Sequence, residues 1–147
     1  MGIEVETEVT IARPRDEVAA YASEPENATA WYANIERAEW QTARPLAVGS
    51  RFAFEARFMG RRLAYVYEVT EYVPGERLVM GTSGAPLDME TTYSWADAGE
   101  GATLMRLRNR GGPSGLMGRL APLTAGAVRR ANRKDLAQLK RILEQGS

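Results

Sequence analysis

The chain contains no cysteine and no histidine. These absences remove disulfides, thiolate nucleophiles, zinc sites built on Cys or His, and the Ser-His-Asp and Cys-His catalytic arrangements. Any acid-base chemistry falls to Asp, Glu, Tyr, Lys or Arg, and neither a metal nor another cofactor is expected. Lysine is scarce as well, since only Lys134 and Lys140 among the 19 basic residues are not arginine. No apolar run approaches the roughly 18 residues of a membrane span. Met1 to Thr10 lacks the basic start and apolar stretch of a signal peptide. A cytoplasmic protein with no transmembrane segment is therefore expected, transient membrane contact remaining open. Paired carboxylates on an inward face, the signature of general acid-base catalysis, are not found, and Gly111-Gly112-Pro113-Ser114-Gly115 lacks the Lys and the spacing of a P-loop.

What is present fits an ordinary globular chain. Its 147 residues predict a single domain spanning 1–147, and 44% hydrophobic with 26% charged residues is typical of one. The net charge is zero but unevenly placed. Met1 to Met105 carries 9 basic and 17 acidic residues, net −8, and Arg106 to Ser147 carries 10 basic and 2 acidic, net +8. A basic tract of this kind can serve nucleic acid or anionic lipid, or it can neutralise the acidic half within the fold. Strand parity supports the second reading, so no nucleic-acid partner is expected.

Ile3 to Ile11 alternates, with Ile3, Val5, Thr7, Val9 and Ile11 on one face and Glu4, Glu6 and Glu8 on the other, as in a half-buried strand. Pro14 followed by Asp16 and Glu17 starts a short helix through Tyr21, and Pro25 starts a second that reaches about Tyr32. Glu36 to Arg44 is a weaker strand. Arg51 to Phe58 and Arg61 to Val73 flank Met59-Gly60, a hairpin turn that pairs Phe58 with Arg61, Ala56 with Leu63, Phe54 with Tyr65, Phe52 with Tyr67 and Arg51 with Glu68. Arg77 to Thr82 is the next strand, followed by one from Leu87 to Trp95. The turn Asp97 to Gly101 then leads into Thr103 to Arg110, with Trp95 expected opposite Thr103, Tyr93 beside Met105, Thr91 beside Leu107 and Met89 beside Asn109. The outward rows Glu4, Glu6, Glu8 and Arg106, Arg108, Arg110 would form a ladder of opposite charge if first and last strands are neighbours.

Ser114 to Gln145 reads as one long helix whose Leu116, Leu120, Leu123, Ala127, Val128, Ala131, Leu136, Leu139 and Leu143 form an apolar stripe. A kink is expected near Pro122, which divides a softer, glycine-hinged N-terminal half from a firmer anchor over Ala131 to Glu144. Arg129, Arg130, Arg133, Lys134, Lys140 and Arg141 form its solvent face. Asp135 lies close to the stripe and reads either as a partly buried residue or, as the favoured alternative, as a solvated edge residue paired with an arginine.

This order of elements, with Arg13-Pro14-Arg15-Asp16-Glu17-Val18, the Pro25-Glu26-Asn27 to Trp31 segment, Gly49-Ser50-Arg51-Phe52, Glu68-Val69-Thr70-Glu71-Tyr72-Val73-Pro74 and Leu136 to Glu144, resembles the START-like (SRPBCC, birch-pollen-allergen-like) superfamily and its polyketide cyclase/dehydrase and lipid-transport group. The resemblance covers essentially the whole chain. It implies an α+β helix-grip fold, in which a curved antiparallel sheet of about seven strands wraps a long C-terminal helix and two short helices join the first two strands. It also implies a cavity between sheet and helix. On that architecture the inner face presents Val5, Val9, Phe52, Phe54, Leu63, Tyr65, Tyr67, Met89, Thr91, Tyr93, Met105, Leu107 and Asn109. The helix adds Leu116, Leu120, Leu123, Ala127 and Val128, and Trp31 would sit near the mouth.

Such a face serves either as filled core or as the lining of a pocket for a small hydrophobic molecule, a lipid, quinone or polyketide. Tyr65, Tyr67 and Tyr93 would hydrogen-bond a ligand carbonyl or hydroxyl, and Asn109 would orient a polar end or cap loop backbone. The leading expectation is a non-catalytic binding protein. The rivals are a polyketide aromatase/cyclase-type enzyme and a module that binds another protein. Oligomeric state is not legible.

Overall fold

The computed structural model describes residues 3–58, 61–82, 89–111 and 121–145. Strand β1 (Ile3–Ile11) leads through helix α1 (Arg15–Ser23), a single 3-10 turn at Pro25–Asn27 and helix α2 (Ala28–Trp31) into β2 (Ile35–Trp40). Then come β3 (Arg51–Phe58), β4 (Arg61–Val73), β5 (Arg77–Thr82), β6 (Met89–Asp97), β7 (Thr103–Gly111) and helix α3 (Ala121–Gln145). The strands form one sheet in the order β1-β7-β6-β5-β4-β3-β2, antiparallel throughout. β2 to β7 are therefore a meander of sequential neighbours, and β1 closes the far edge against β7. The two short helices carry the chain from one edge of the sheet to the other.

The charge ladder is present. Glu4, Glu6 and Glu8 lie opposite Arg110, Arg108 and Arg106. Arg106 Nε pairs with Glu8 at 3.1 Å, Arg108 pairs diagonally with Glu4, and Arg110 reaches across to Glu90 of β6 at 3.1 Å. Each exposed pair is worth about 0–1 kcal/mol, so the rows specify which strands are neighbours more than they stabilise the sheet. The opposite charges of the two ends of the chain thus meet within the fold.

The β3–β4 hairpin has the expected register, from Arg51 opposite Glu68 to Phe58 opposite Arg61. The β6–β7 hairpin differs by two residues. Asp97 pairs with Thr103, Trp95 with Met105, Tyr93 with Leu107 and Thr91 with Asn109. The turn is tighter than the sequence suggests because Gly99 and Gly101 both take positive φ (108° and 69°), and Ala98 N–H donates to Ala102 O at 2.9 Å. Slipping by two preserves the face of every side chain, so the inward set survives while each residue gains a different neighbour. β2 stops at Trp40, short of the expected Arg44. Thr42 Oγ1 takes the Arg51 N–H at 3.1 Å and Arg44 turns onto Glu24, its guanidinium 4.6 Å over the Trp40 ring.

α3 is clamped at its C-terminal end, where unpaired carbonyls and the negative pole of the helix face outward. Arg13 donates to the Leu143 and Glu144 carbonyls at 2.9 and 3.3 Å. Glu144 accepts the Ala12 N–H at 2.8 Å and Lys140 Nζ donates to Thr10 O at 2.8 Å. Leu136, Leu139 and Leu143 are buried beneath. The firm anchor expected of the C-terminal half is therefore present. Of the softer half, Ala121 to Val128 is helical, with Pro122, where the bend is expected, near the start of α3; the part before Ala121 lies outside the described residues.

Candidate functional site

Register and parity together build an aromatic wall on the inner face. On β3 and β4, Phe52 lies opposite Tyr67 and Phe54 opposite Tyr65. Their rings meet at centroid distances of 5.7 Å for Phe54–Tyr65, 5.7 Å for Phe54–Tyr67 and 5.3 Å for Tyr65–Tyr67. Trp40 stacks edge-on against Phe52 at 4.9 Å. A second group forms where α2 meets β6, with Trp31 4.1 Å from Tyr32 and 5.8 Å from Tyr93. Phe52, Phe54, Tyr67, Tyr93, Met105 and Leu107 are buried in one continuous core, and Tyr65 is packed against it, half-buried. Trp31, expected near an opening, is only 1% exposed, because α2 lays it between Tyr32 and Tyr93. Met89, Asn109 and Val128 are half-buried. Leu120 lies outside the described residues, as do the side chains of Leu63 and Leu123.

Two hydroxyl networks cross this apolar interior. Thr91 Oγ1 donates to Asn109 Oδ1 at 2.6 Å, which leaves its lone pairs to accept the Tyr67 hydroxyl proton, also at 2.6 Å. The observed β6–β7 register makes this chain, since it sets Thr91 directly across from Asn109. Asn109 therefore takes a hydroxyl proton from the neighbouring strand. The second network is the Tyr32–Tyr93 hydroxyl pair at 2.6 Å. Burial pushes the phenols of Tyr32, Tyr65 and Tyr93 upward, and it raises Tyr67 to about 12 even though its bond to Thr91 acts the other way. All four are neutral hydroxyls at physiological pH, able to donate a hydrogen bond and unsuited to act as bases.

Asp135 follows the buried alternative and not the solvated edge position favoured from sequence. It is 2% exposed, and its Oδ1 accepts the Ala33 N–H at 3.0 Å, tying α3 to the loop after α2. Burial raises its carboxyl to about 6, with the Ala33 N–H and the nearby Lys134 charge opposing. Asn132, one helical turn earlier on the same face, is 4% exposed. The signal was in the sequence. Val128, Asn132, Asp135, Leu136, Leu139 and Leu143 follow the spacing of a buried helix face, and the polarity of two members masked it.

Several buried polar atoms have no hydrogen-bond partner among the described residues. They include Trp31 Nε1, Asn132 Nδ2, Thr7 Oγ1 and Trp95 Nε1. Leaving such an atom unpaired costs about 1–3 kcal/mol, and buried orphans are unusual enough to require a reason. A separate groove of about 240 Å³ lies outside, lined by Pro14, Arg15, Asp16, Asp97, Gly101 and Ala102. The Arg15–Asp97 ion pair at 3.4 Å sits in it.

The family model described as "Polyketide cyclase / dehydrase and lipid transport" matches residues 2–144. The chain belongs to that family. Solved structures agree with the assignment at the level of fold. A START superfamily protein from Mycobacterium smegmatis superposes with TM-score 0.85 at 13% identity, covering 98% of this chain and 99% of that one. A Thermus thermophilus protein gives 0.84 at 21% identity over 98% and 99%. The Zhui aromatase/cyclase from a Streptomyces species gives 0.82 at 14% identity over 99% and 95%. No curated protein matches the sequence. The fold is thus the START-like helix-grip, a curled seven-stranded sheet with a long C-terminal helix. Among the described residues, no helix is long and apolar enough to cross a membrane.

Proposed function

We propose that this member of the polyketide cyclase/dehydrase and lipid-transport family is a cytoplasmic binding protein. It holds one small, largely apolar molecule, a lipid, quinone or polyketide-like compound, between the inner sheet face and α3. The observation that carries this reading is the character of the interior. An aromatic wall of Phe52, Phe54, Tyr65 and Tyr67 adjoins buried polar groups that the described residues leave without partners. A filled structural core favours apolar contacts and satisfied polar atoms. Denaturing the purified protein and analysing the extract by mass spectrometry tests the reading, with a stoichiometric apolar molecule expected. A protein that yields none, and that takes up no apolar probe, would sink it.

One observation favours a catalytic variant of the same reading. Tyr65 and Tyr93 carry neutral hydroxyls on one inner face, as carbonyl polarisation requires, whereas Tyr67 already donates its proton to Thr91. Turnover of a polyketide-like substrate, lost in Tyr65→Phe or Tyr93→Phe with binding retained, would establish it.

A further inference from the structure

Three of the groups without a partner among the described residues, on Thr7, Trp31 and Asn132, belong to segments that meet at α3, whereas Arg15 Nε, Trp95 Nε1 and Arg108 Nε lie on other elements. α3 runs alongside β1 in the same direction, because Lys140 meets Thr10 and Glu144 meets Ala12. Eight residues of helix before Lys140 cover roughly 12 Å, equal to between three and four residues of strand. At this spacing Asn132 sits at about the level of Glu6 and Thr7 along β1, and of that pair only Thr7 is buried. On the other flank, Asp135 joins the same stretch of α3 to Ala33, two residues beyond Trp31. Thr7 Oγ1, Asn132 Nδ2 and Trp31 Nε1, all sealed from solvent and all without partners among the described residues, thus belong to the segments packed around one turn of α3.

Their chemistry is one-sided. Indole N–H and amide NH2 can only donate, and a hydroxyl rotates to donate where an acceptor is offered. The complementary ligand atom is an acceptor with two lone pairs. An anion is disfavoured, because the buried polar residues among those described include Asp135 and no lysine or arginine. A carboxylate there would be desolvated beside a second carboxyl group with no cation to offset it.

We infer that Trp31 Nε1, Asn132 Nδ2 and the Thr7 hydroxyl form a donor subsite for an uncharged carbonyl oxygen, the ketone or quinone oxygen of an otherwise apolar ligand. The inference rests on the ligand-holding reading above and narrows its ligand class, separating neutral carbonyl compounds from fatty-acid anions and plain hydrocarbons.

Equilibrium dialysis of the full chain at neutral pH against menadione, methylnaphthalene and naphthoate tests it. The absence of cysteine removes the usual thiol addition to the quinone. Two donated bonds worth about 1 kcal/mol each predict that menadione binds at least tenfold tighter than methylnaphthalene, although it is the less apolar of the two, and naphthoate weakest. Trp31→Phe and Asn132→Leu should each weaken menadione about fivefold and leave methylnaphthalene within about twofold. Unliganded Asn132→Leu should melt no lower than wild type, because it removes a buried amide NH2 that has no partner among the described residues. Equal affinity for quinone and hydrocarbon, equal losses for both in the variants, or naphthoate as the tightest probe would each overturn the subsite and leave the ligand-holding reading intact. If no probe binds and nothing copurifies, both fall together.

Discussion

Replacing Asp135 by asparagine should stabilise the protein, most strongly at neutral pH and progressively less towards acid. The carboxyl's ordinary value is 3.8 and burial raises it to about 6 in the folded state. The folded protein therefore holds this proton more tightly than the unfolded chain. Below about pH 4 both states are protonated and burial of the group carries no charge penalty. Between about pH 4 and pH 6 the unfolded chain ionises first and stability falls as pH rises. Above about pH 6 both states are ionised and the full penalty is present, a little over two pKa units or about 3 kcal/mol. The Asp135→Asn side chain would keep an oxygen for the Ala33 N–H, now donated over 3.0 Å, and would carry no charge at any pH. Urea denaturation of both proteins from about pH 4.5 to 7.5 gives the difference, and the carboxylates common to both cancel. The variant's advantage should shrink from about 3 kcal/mol at pH 7.5 to about 1 kcal/mol at pH 4.5. A pH-independent difference, or one that widens towards acid, would refute a raised carboxyl at this position.

Thr91→Val deletes the centre of the Tyr67–Thr91–Asn109 chain and strands a buried phenol, at a cost of about 1–3 kcal/mol in urea denaturation. Adding Tyr67→Phe should recover part of that loss, and strictly additive effects would show that the chain is not energetically coupled. Arg13→Ala removes both bonds to the last carbonyls of α3; about 1–2 kcal/mol should be lost, with amide exchange accelerated in the final turn of α3 and unchanged in the β3–β4 hairpin. Exchanging the charges of Glu8 and Arg106, now paired at 3.1 Å, should reveal a coupling below about 1 kcal/mol that fades at high salt. A large, salt-insensitive coupling would contradict the role of the rows as neighbour-setting devices.

The parts legible in the sequence depend on period and turn chemistry, and the parts that were not depend on contacts between elements. Alternation with period two placed Phe52, Phe54, Tyr65, Tyr67, Tyr93, Met105 and Leu107 on one face, and their rings meet there. Parity tolerates a two-residue slip, so the β6–β7 pairing could be displaced without moving any side chain to the wrong side. Only the positive-φ glycines of the Ala98–Ala102 turn decide between the two registers, and with them whether Asn109 meets Thr91. On α3 the period of the stripe included Asn132 and Asp135, but a polar residue on an apolar face reads as an edge position until the Ala33 N–H supplies its partner. Trp31 was assigned to an opening because α2 is too short to announce what it packs against.

These differences share a direction. The fold secures α3 at one end with groups that are all satisfied, Arg13, Lys140 and Glu144 clamping the last turn to the end of β1. About two to three turns further in, the same helix buries a carboxyl at about 6 and an amide nitrogen with no partner among the described residues. A leucine at position 132 would suit the surrounding stripe and would avoid the cost of an unpaired amide N–H, whereas one at position 135 would strand the Ala33 N–H. Since substitutions that gain stability are readily found in natural proteins when function does not oppose them, the amide at position 132 is better explained by what it can bind than by what it holds together, whereas Asp135 ties α3 to the loop after α2. The clamp at the C-terminal turn then acquires a reason, because it anchors the helix that carries these groups and offsets part of the stability they forgo.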